Sequence, residues 1–395
     1  MNAKTKRSGL SFMSIVTEGD KSWFINESWN ALFQMDRKNF IPEFVDFPKL
    51  FYGEGDNYKW LVKWKQKFIY ISNRSDTPLY LIDGEGEHAV TSLPAQVIKN
   101  SNIICNILQK ENILYLFSNC KDFSVLEFDM EKNGFGRWLQ WDDCDLTGEG
   151  QSFQWGNVAC YGGSIWSPIA GTNCIVELKC DIFKYVIHQR KEDIQYKWPF
   201  IENGGNYWSL AAYEKESNCI ITGTLLSDSN DKIISLPANI RKRIIKDFRI
   251  DKNVIWLFPG DDGNIIKIDI SGEICRELSY PDGFRWIRDR RYESGIRFTC
   301  IDNAGSKWIL YPRTGNGILL IDKYTDVIEY MPLEVDMAEI MKLQAQNVVM
   351  ENVFTLKDGL YFLLECINRK KEFVDWEVFG KKNDIGHKIF REIVN

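Results

Sequence analysis

The sequence is poor in the residues that chemistry most often needs. Three histidines, His88, His188 and His387, lie far apart, too few and too scattered to suggest a zinc site. Ten cysteines are present without a single C-x-x-C pair, the closest two being Cys174 and Cys180. That pattern reads as buried, reduced thiols and neither a disulfide framework nor a redox motif. No apolar run approaches the ~18 residues of a membrane span. The stretch Leu10–Val16 is too short and lacks a cleavage site, so it reads as a first strand and not a signal peptide. There is no Gly-x-x-x-x-Gly-Lys-Ser/Thr loop. Gly84-Glu-Gly86 lies in a strand turn and not between a strand and a helix, so no nucleotide cradle is expected. No cofactor is implied, and the expected location is cytoplasmic.

Basic charge is also in deficit: 49 Lys+Arg face 55 Asp+Glu over 395 residues, a net charge of −6. This argues against a protein built to hold nucleic acid or an anionic membrane. What is abundant is aromatic surface, 14% of residues with 14 tryptophans, in a chain that is 44% apolar.

The aromatics recur. Trp23, Tyr70, Tyr115, Trp166, Trp256, Trp308 and Tyr361 each sit in a short apolar run, at spacings of 47, 45, 51, 90, 52 and 53. Each is followed 13 or 14 residues later by an acid or its substitute: Asp36, Asp83, Asp129, Lys179, Asp269, Asp322 and Asp375. The spacing of 90 is twice 45, so a degenerate unit is expected around Cys219-Ile-Ile221 and Ile233-Ile234. The runs Lys67–Ser72 and Leu79–Asp83, Val254–Pro259 and Asn264–Asp269, and Lys307–Pro312 and Gly317–Asp322 read as hairpins. A weaker strand follows each acid and another precedes each aromatic. Four strands per unit at this period predict an all-β propeller over residues 1–395, a single domain. The count is eight blades, with seven as the alternative, because Ile221 to Trp256 leaves little room for two more strands. Asp336–Gln346 predicts a short helical insertion.

This strand–turn–strand unit with its Trp and closing Ile-Asp resembles the blades of WD-repeat, kelch and two-component-regulator propellers, of a bacterial type. The resemblance is architectural. It covers nearly the whole chain, but it carries neither the Gly-His…Trp-Asp pair nor the kelch double glycine, so no binding residue follows from it.

A second pattern falls where strand D of one blade leads to strand A of the next. Gly53-Glu-Gly-Asp-Asn-Tyr-Lys-Trp60 matches Gly148-Glu-Gly-Gln-Ser-Phe-Gln-Trp155, 95 residues on. Looser copies are Gly204-Gly-Asn-Tyr-Trp208 and Gly283-Phe-Arg-Trp286. One reading is a rim of binding aromatics: Tyr58, Trp60, Phe153, Trp155, Tyr207, Trp208 and Trp286. The other is that these rings wedge adjacent blades apart, with glycine permitting the turn. Arg285, Arg288, Arg290 and Arg291 form either a carboxylate or phosphate grip or a solvated loop. The run Arg241–Lys246 reads as an exposed edge more than a nucleic-acid patch. The expected function is a non-catalytic scaffold presenting aromatic and Arg-bearing loops to a protein, a peptide or a glycan. The alternative is a carbohydrate-active hydrolase or lyase using Glu54 and Glu149.

Overall fold

The structure is a computed structural model, and it describes residues 7–9, 12–26, 32–46, 58–72, 78–83, 88–94, 104–119, 124–140, 154–213, 217–227, 231–260, 263–286, 298–313 and 315–336. The unit Ser11–Pro332 is a β-propeller of seven four-stranded antiparallel blades. Blade 1 is β2 Phe12–Glu18, β3 Lys21–Asn26, β4 Leu32–Asp36 and β5 Pro42–Asp46; blade 2 is β6 Tyr58–Trp64, β7 Lys67–Ser72, β8 Leu79–Ile82 and β9 His88–Thr91. Blade 3 is β10 Ile104–Lys110, β11 Ile113–Ser118, β12 Val125–Asp129 and β13 Gly134–Leu139. Blade 4 is β14 Ala159–Tyr161, β15 Ser164–Pro168, β16 Cys174–Lys179 and β17 Lys184–Gln189. Blade 5 is β18 Ile194–Asn203, β19 Asn206–Tyr213, β20 Ser217–Thr224 and β21 Lys232–Ser235. Blade 6 is β22 Ile245–Asp251, β23 Val254–Pro259, β24 Ile265–Asp269 and β25 Ile274–Leu278. Blade 7 is β26 Phe298–Ala304, β27 Lys307–Pro312, β28 Gly317–Asp322 and β29 Ile328–Pro332. In the second unit the described residues form one antiparallel pair, β1 Arg7–Gly9 with β30 Glu334–Asp336.

The A strands are innermost, because those of neighbouring blades touch: β2 against β6 and β26, and β18 against β14 and β22. Strands B and C are continuous apolar runs, buried on both faces, as in β7, β8, β11 and β16. Each is sandwiched between two other blades, so alternation gives way to unbroken Ile, Leu, Val and aromatics. The core is therefore a series of inter-blade layers. Trp23, Ile25 and Leu32 of blade 1 meet Leu61, Tyr70 and Tyr80 of blade 2, and the pattern repeats around the ring.

The ring closes at seven, not at the expected eight. Tyr311 of blade 7 packs edge-on against Phe12 of blade 1 at 5.3 Å between centroids. Thr299 donates its hydroxyl to the Phe12 carbonyl, and Arg37 pairs with Asp302 across the same seam. No gap is left for an eighth sheet between β26 and β2. The unit expected at Tyr361 and Asp375 lies outside the described residues, as does the predicted helix after Asp336, which itself ends strand β30.

The fifth blade is complete: the stretch from Ile221 to Trp256, expected to leave little room for two more strands, holds both β21 and β22. The Cys219-Ile-Ile221 run is its C strand, and its B-strand aromatic is Trp208. Trp208 stands two residues into β19, as Trp23, Tyr115, Trp166 and Trp256 stand in their own B strands. This overturns the placing of Gly204–Trp208 between blades: it is the A–B turn of blade 5, at the opposite end of the strands. A Cβ on Gly205 there, at φ +83°, would lie 2.5 Å from the Tyr161 hydroxyl, so only glycine fits.

The recurring acid has a local task. The Asp36, Asp129, Asp269 and Asp322 carboxylates accept backbone N–H bonds two to four residues on, at 2.7–3.0 Å. Each caps the C–D turn as an Asx-turn, where a short polar side chain stands in for a backbone acceptor. These bonds hold the Asp129 and Asp322 carboxyls below their ordinary range; at Asp269 the Ser271 hydroxyl contributes most.

Candidate functional site

The two faces of the ring differ. All seven A–B turns are two-residue hairpins, at 19–20, 65–66, 111–112, 162–163, 204–205, 252–253 and 305–306. The D–A connections, which share the other face with the B–C turns, include the long segments 140–158 and 279–297. On that side six of the seven A–B pairings are broken by a register shift, in blades 1, 2, 3, 6 and 7 beside the last two B-strand residues and in blade 5 opposite Leu210, three residues before β19 ends. The displaced residues are Met13, Lys59, Cys105, Lys197–Pro199, Lys246 and Thr299. Blade 4 has only the isolated bridge Trp155–Ile169 before β14 begins at Ala159. A bulge bends the strand and re-aims a side chain, so this level is a ring of redirected residues around the channel entrance.

Three of them are lysines. The Lys59 ammonium lies 4.4 Å over the Trp60 ring, and burial pushes its pKa down, with the charge of Arg313 adding to the effect. Arg313 follows the B strand of blade 7, two blades from Lys59 around the ring. Lys197 donates to Asn218 Oδ1. Burial lowers its pKa, and the nearby charge of Lys246 does so further. The Lys246 stem lies over Gly260, where a Cβ would come 2.3 Å from its Cγ, and burial lowers its pKa too. Beside Lys197, Trp198 is 49% exposed. Asn218 also binds the carbonyls of Arg241 and Arg243, fixing the 236–244 connection against blade 5.

The residues singled out from the sequence separate in the fold. Trp155 is buried between blades 3 and 4, donates Nε1–H to the Ser118 carbonyl at 3.1 Å and stacks edge-on against Phe117. Trp286 wedges blades 6 and 7, its ring edge-on to Phe284, Tyr280 and Phe298. Trp60 is half-buried between blades 2 and 3, and Trp208 between blades 5 and 6. Tyr207 is fully buried, its hydroxyl 2.9 Å from that of Tyr196. Arg285 is exposed on a loop pinned by Asn316, which accepts from its backbone N–H at 2.9 Å. Tyr58 begins β6. Glu54, Glu149, Phe153, Arg288, Arg290 and Arg291 lie outside the described residues.

Sequence reasoning missed Lys59, Lys197, Trp198, Lys246 and Arg313. Lys59 stands inside the Gly-Glu-Gly motif, but only strand pairing reveals that it and Lys197 occupy one level of the ring.

Groups that might suggest catalysis are arranged otherwise. Ser164 donates to Glu177 at 2.7 Å, and His188 lies 3.2 Å from the other oxygen of Glu177. The carboxylate thus stands between hydroxyl and imidazole, the reverse of the order a nucleophile relay needs. Burial pushes the Cys105 and Cys300 thiols up to about 12, so neither is a ready thiolate. Among the described residues no group of His, Cys, Asp or Glu is placed to hold a metal, and no helix is long and apolar enough to cross a membrane.

No protein-family model and no curated protein matches the chain. Among solved structures it is similar to YCF48 from Cyanidioschyzon merolae, with a TM-score of 0.55 at 11% identity over 82% of this chain and 99% of that one. The RRP9 WD40 repeats give 0.53 at 7% identity over 83% and 96%. A catalytically inactive virginiamycin B lyase from Staphylococcus aureus, solved with quinupristin, gives 0.52 at 11% identity over 84% and 98%. Likeness at these identities shows the fold alone, and folds of this kind carry unrelated functions.

Proposed function

We propose that this propeller is a binding scaffold that engages a partner protein or peptide on the face carrying the B–C turns and D–A connections. The observation that carries the reading is the asymmetry of the ring. One face is closed by seven two-residue hairpins, while the opposite ends of the strands, from which the longer D–A connections leave, carry the register shifts. Recognition residues concentrate where connections are long and the scaffold beneath is rigid. Here the rigidity comes from blade-to-blade bonds: Leu61 N–H to Ser14 Oγ at 2.9 Å, Asn106 Nδ2 to the Gly156 carbonyl at 2.8 Å, and Asn157 N–H to the Trp198 carbonyl at 2.8 Å.

A photo-crosslinking residue placed at Arg285 or Arg313, in cells that make the protein, should form discrete adducts with a partner. The same residue at Asp20 or Ser306, on the hairpin face, should not. Equal labelling from both faces, or adducts from the hairpin face alone, would overturn the assignment.

A further inference from the structure

The sequence holds three Asn-Gly pairs, Asn133-Gly134, Asn203-Gly204 and Asn316-Gly317, and the fold treats them differently. Asparagine before glycine is open to self-modification, because no side chain on the glycine hinders attack of its nitrogen on the asparagine side chain. Attack needs the asparagine Cγ and the next backbone nitrogen on the same side of the chain. Asn133 is held left-handed, at φ +52°, just before the first pair of β13. In that conformation ψ is about +47°, which turns the following nitrogen away from Cβ. Its Oδ1 also accepts from Lys67 Nζ at 3.2 Å. The Asn316 amide is bound at both ends: Oδ1 accepts from the Arg285 N–H at 2.9 Å, and Nδ2 donates to the Gly283 carbonyl at 3.0 Å. Gly317 is buried in β28, where a Cβ would lie 2.3 Å from the Met331 carbonyl oxygen. Asn203, by contrast, is exposed at the end of β18, where its pairing with Asn206 is the last of the ladder. Gly204 is exposed at φ +61°, and a Cβ on it would meet nothing within 4 Å.

We propose that Asn203-Gly204 is a self-modification site, at which the folded ring converts its own asparagine to aspartate and isoaspartate. Rotation about the Cα–C bond of Asn203 opens one ladder pair and brings the Gly204 nitrogen to Cγ. The N–Cγ bond forms, and the Gly204 N–H proton ends on the side-chain nitrogen, which leaves as ammonia. Water then opens the five-membered imide. Attack at the side-chain carbonyl gives aspartate, and attack at the backbone carbonyl gives isoaspartate. Isoaspartate lengthens the backbone by one methylene, inside a two-residue hairpin whose second residue is fixed. The Gly205 N–H donates to Glu202 Oε1 at 2.8 Å, its carbonyl accepts from the Leu225 N–H at 3.0 Å, and a Cβ on it would lie 2.5 Å from the Tyr161 hydroxyl. The Tyr161 carbonyl in turn accepts from Trp166 Nε1 at 3.2 Å. The extra methylene therefore presses on the seam between blades 4 and 5. The inference stands apart from the scaffold reading, since it concerns the hairpin face.

The test ages the full chain, folded, at mildly alkaline pH. Peptide mapping by chromatography and mass spectrometry then separates the asparagine, aspartate and isoaspartate forms at positions 133, 203 and 316. Conversion at Asn203 should run about tenfold or more ahead of the other two, a difference of about 1.4 kcal/mol in activation free energy. In concentrated urea the three sites are the same dipeptide in an unfolded chain, and their rates should draw level. Asn203→Gln, whose side chain can close only a slower six-membered ring, should stay intact at that position. The aged parent should melt at a lower temperature than the fresh one, and aged Asn203→Gln should not. Conversion at Asn133 or Asn316 as fast as at Asn203 in the folded chain would overturn the proposal. So would an Asn203 that survives ageing in the folded chain while it converts in urea. Isoaspartate at position 203 without a lower melting temperature would overturn the strain assigned to the seam.

Discussion

Removing Arg190 should open the seam between blades 4 and 5. Its side chain is 0% exposed and lies 3.7 Å from Asp231, which is 2% exposed. The guanidinium donates to the Ser227 carbonyl at 2.8 Å, the Leu225 carbonyl at 3.2 Å and the Thr224 carbonyl at 3.4 Å, and it lies over the Tyr207 ring at 5.4 Å. One side chain of blade 4's exit therefore holds the C–D turn of blade 5. Arg190→Met keeps most of the volume but leaves three carbonyls and a buried carboxylate without the cation. Breaking a buried pair from one side costs about 3–5 kcal/mol, because the surviving charge stays desolvated. We expect about 4 kcal/mol, a large part of the ~5–15 kcal/mol that holds a folded domain. Replacing both partners, Arg190→Met with Asp231→Leu, should cost clearly less than the two single changes added, since no charge is then stranded. Urea unfolding followed by tryptophan fluorescence measures the loss. Hydrogen exchange over 217–235 shows whether it begins at this seam. A single-variant loss below about 1 kcal/mol, or strict additivity in the double variant, would refute the account.

Trp155→Ala should cost about 3–5 kcal/mol, as expected for a large core deletion, and half-buried Trp60→Ala distinctly less; melting temperatures of the two variants measure how far the D–A aromatics act as wedges. The Asp129, Asp269 and Asp322 carboxylates are depressed in the folded state, so their contribution is present above the unfolded value of 3.8 and is lost as pH falls through the lower folded values. Melting temperature should therefore drop on acidification below about pH 4, and Asp322→Asn should flatten that limb in a pH series. Cys105 and Cys300, with thiols raised to about 12, should resist a thiol reagent at pH 8 until the chain is unfolded, as read by mass spectrometry of the labelled peptides.

Much of the fold is legible without coordinates, because a blade's inner strands are buried on both faces and must be unbroken apolar runs. Trp23, Tyr115, Trp166 and Trp256 could be found this way, and the acid after the runs of Trp23, Tyr115 and Trp256 marks an Asx-turn. The same reading failed at blade 5, where Trp208 follows a Gly-Gly turn that resembles the inter-blade motif. Its β18 also carries a three-residue bulge at Lys197–Pro199 that hides the A strand. The signal there was chain length and local composition, and both were ambiguous.

The sequence by itself determined the strand content and the four-strand repeat, since each depends only on local periodicity and residue type. Tertiary structure alone decided that the ring closes at seven, because closure depends on how Phe12 meets Tyr311 and Thr299, nearly three hundred residues away. It also decided which aromatics are wedges. Lys59, Lys197 and Lys246 are unremarkable lysines in sequence, and only the bulges of three separate strands bring them to one level of the ring.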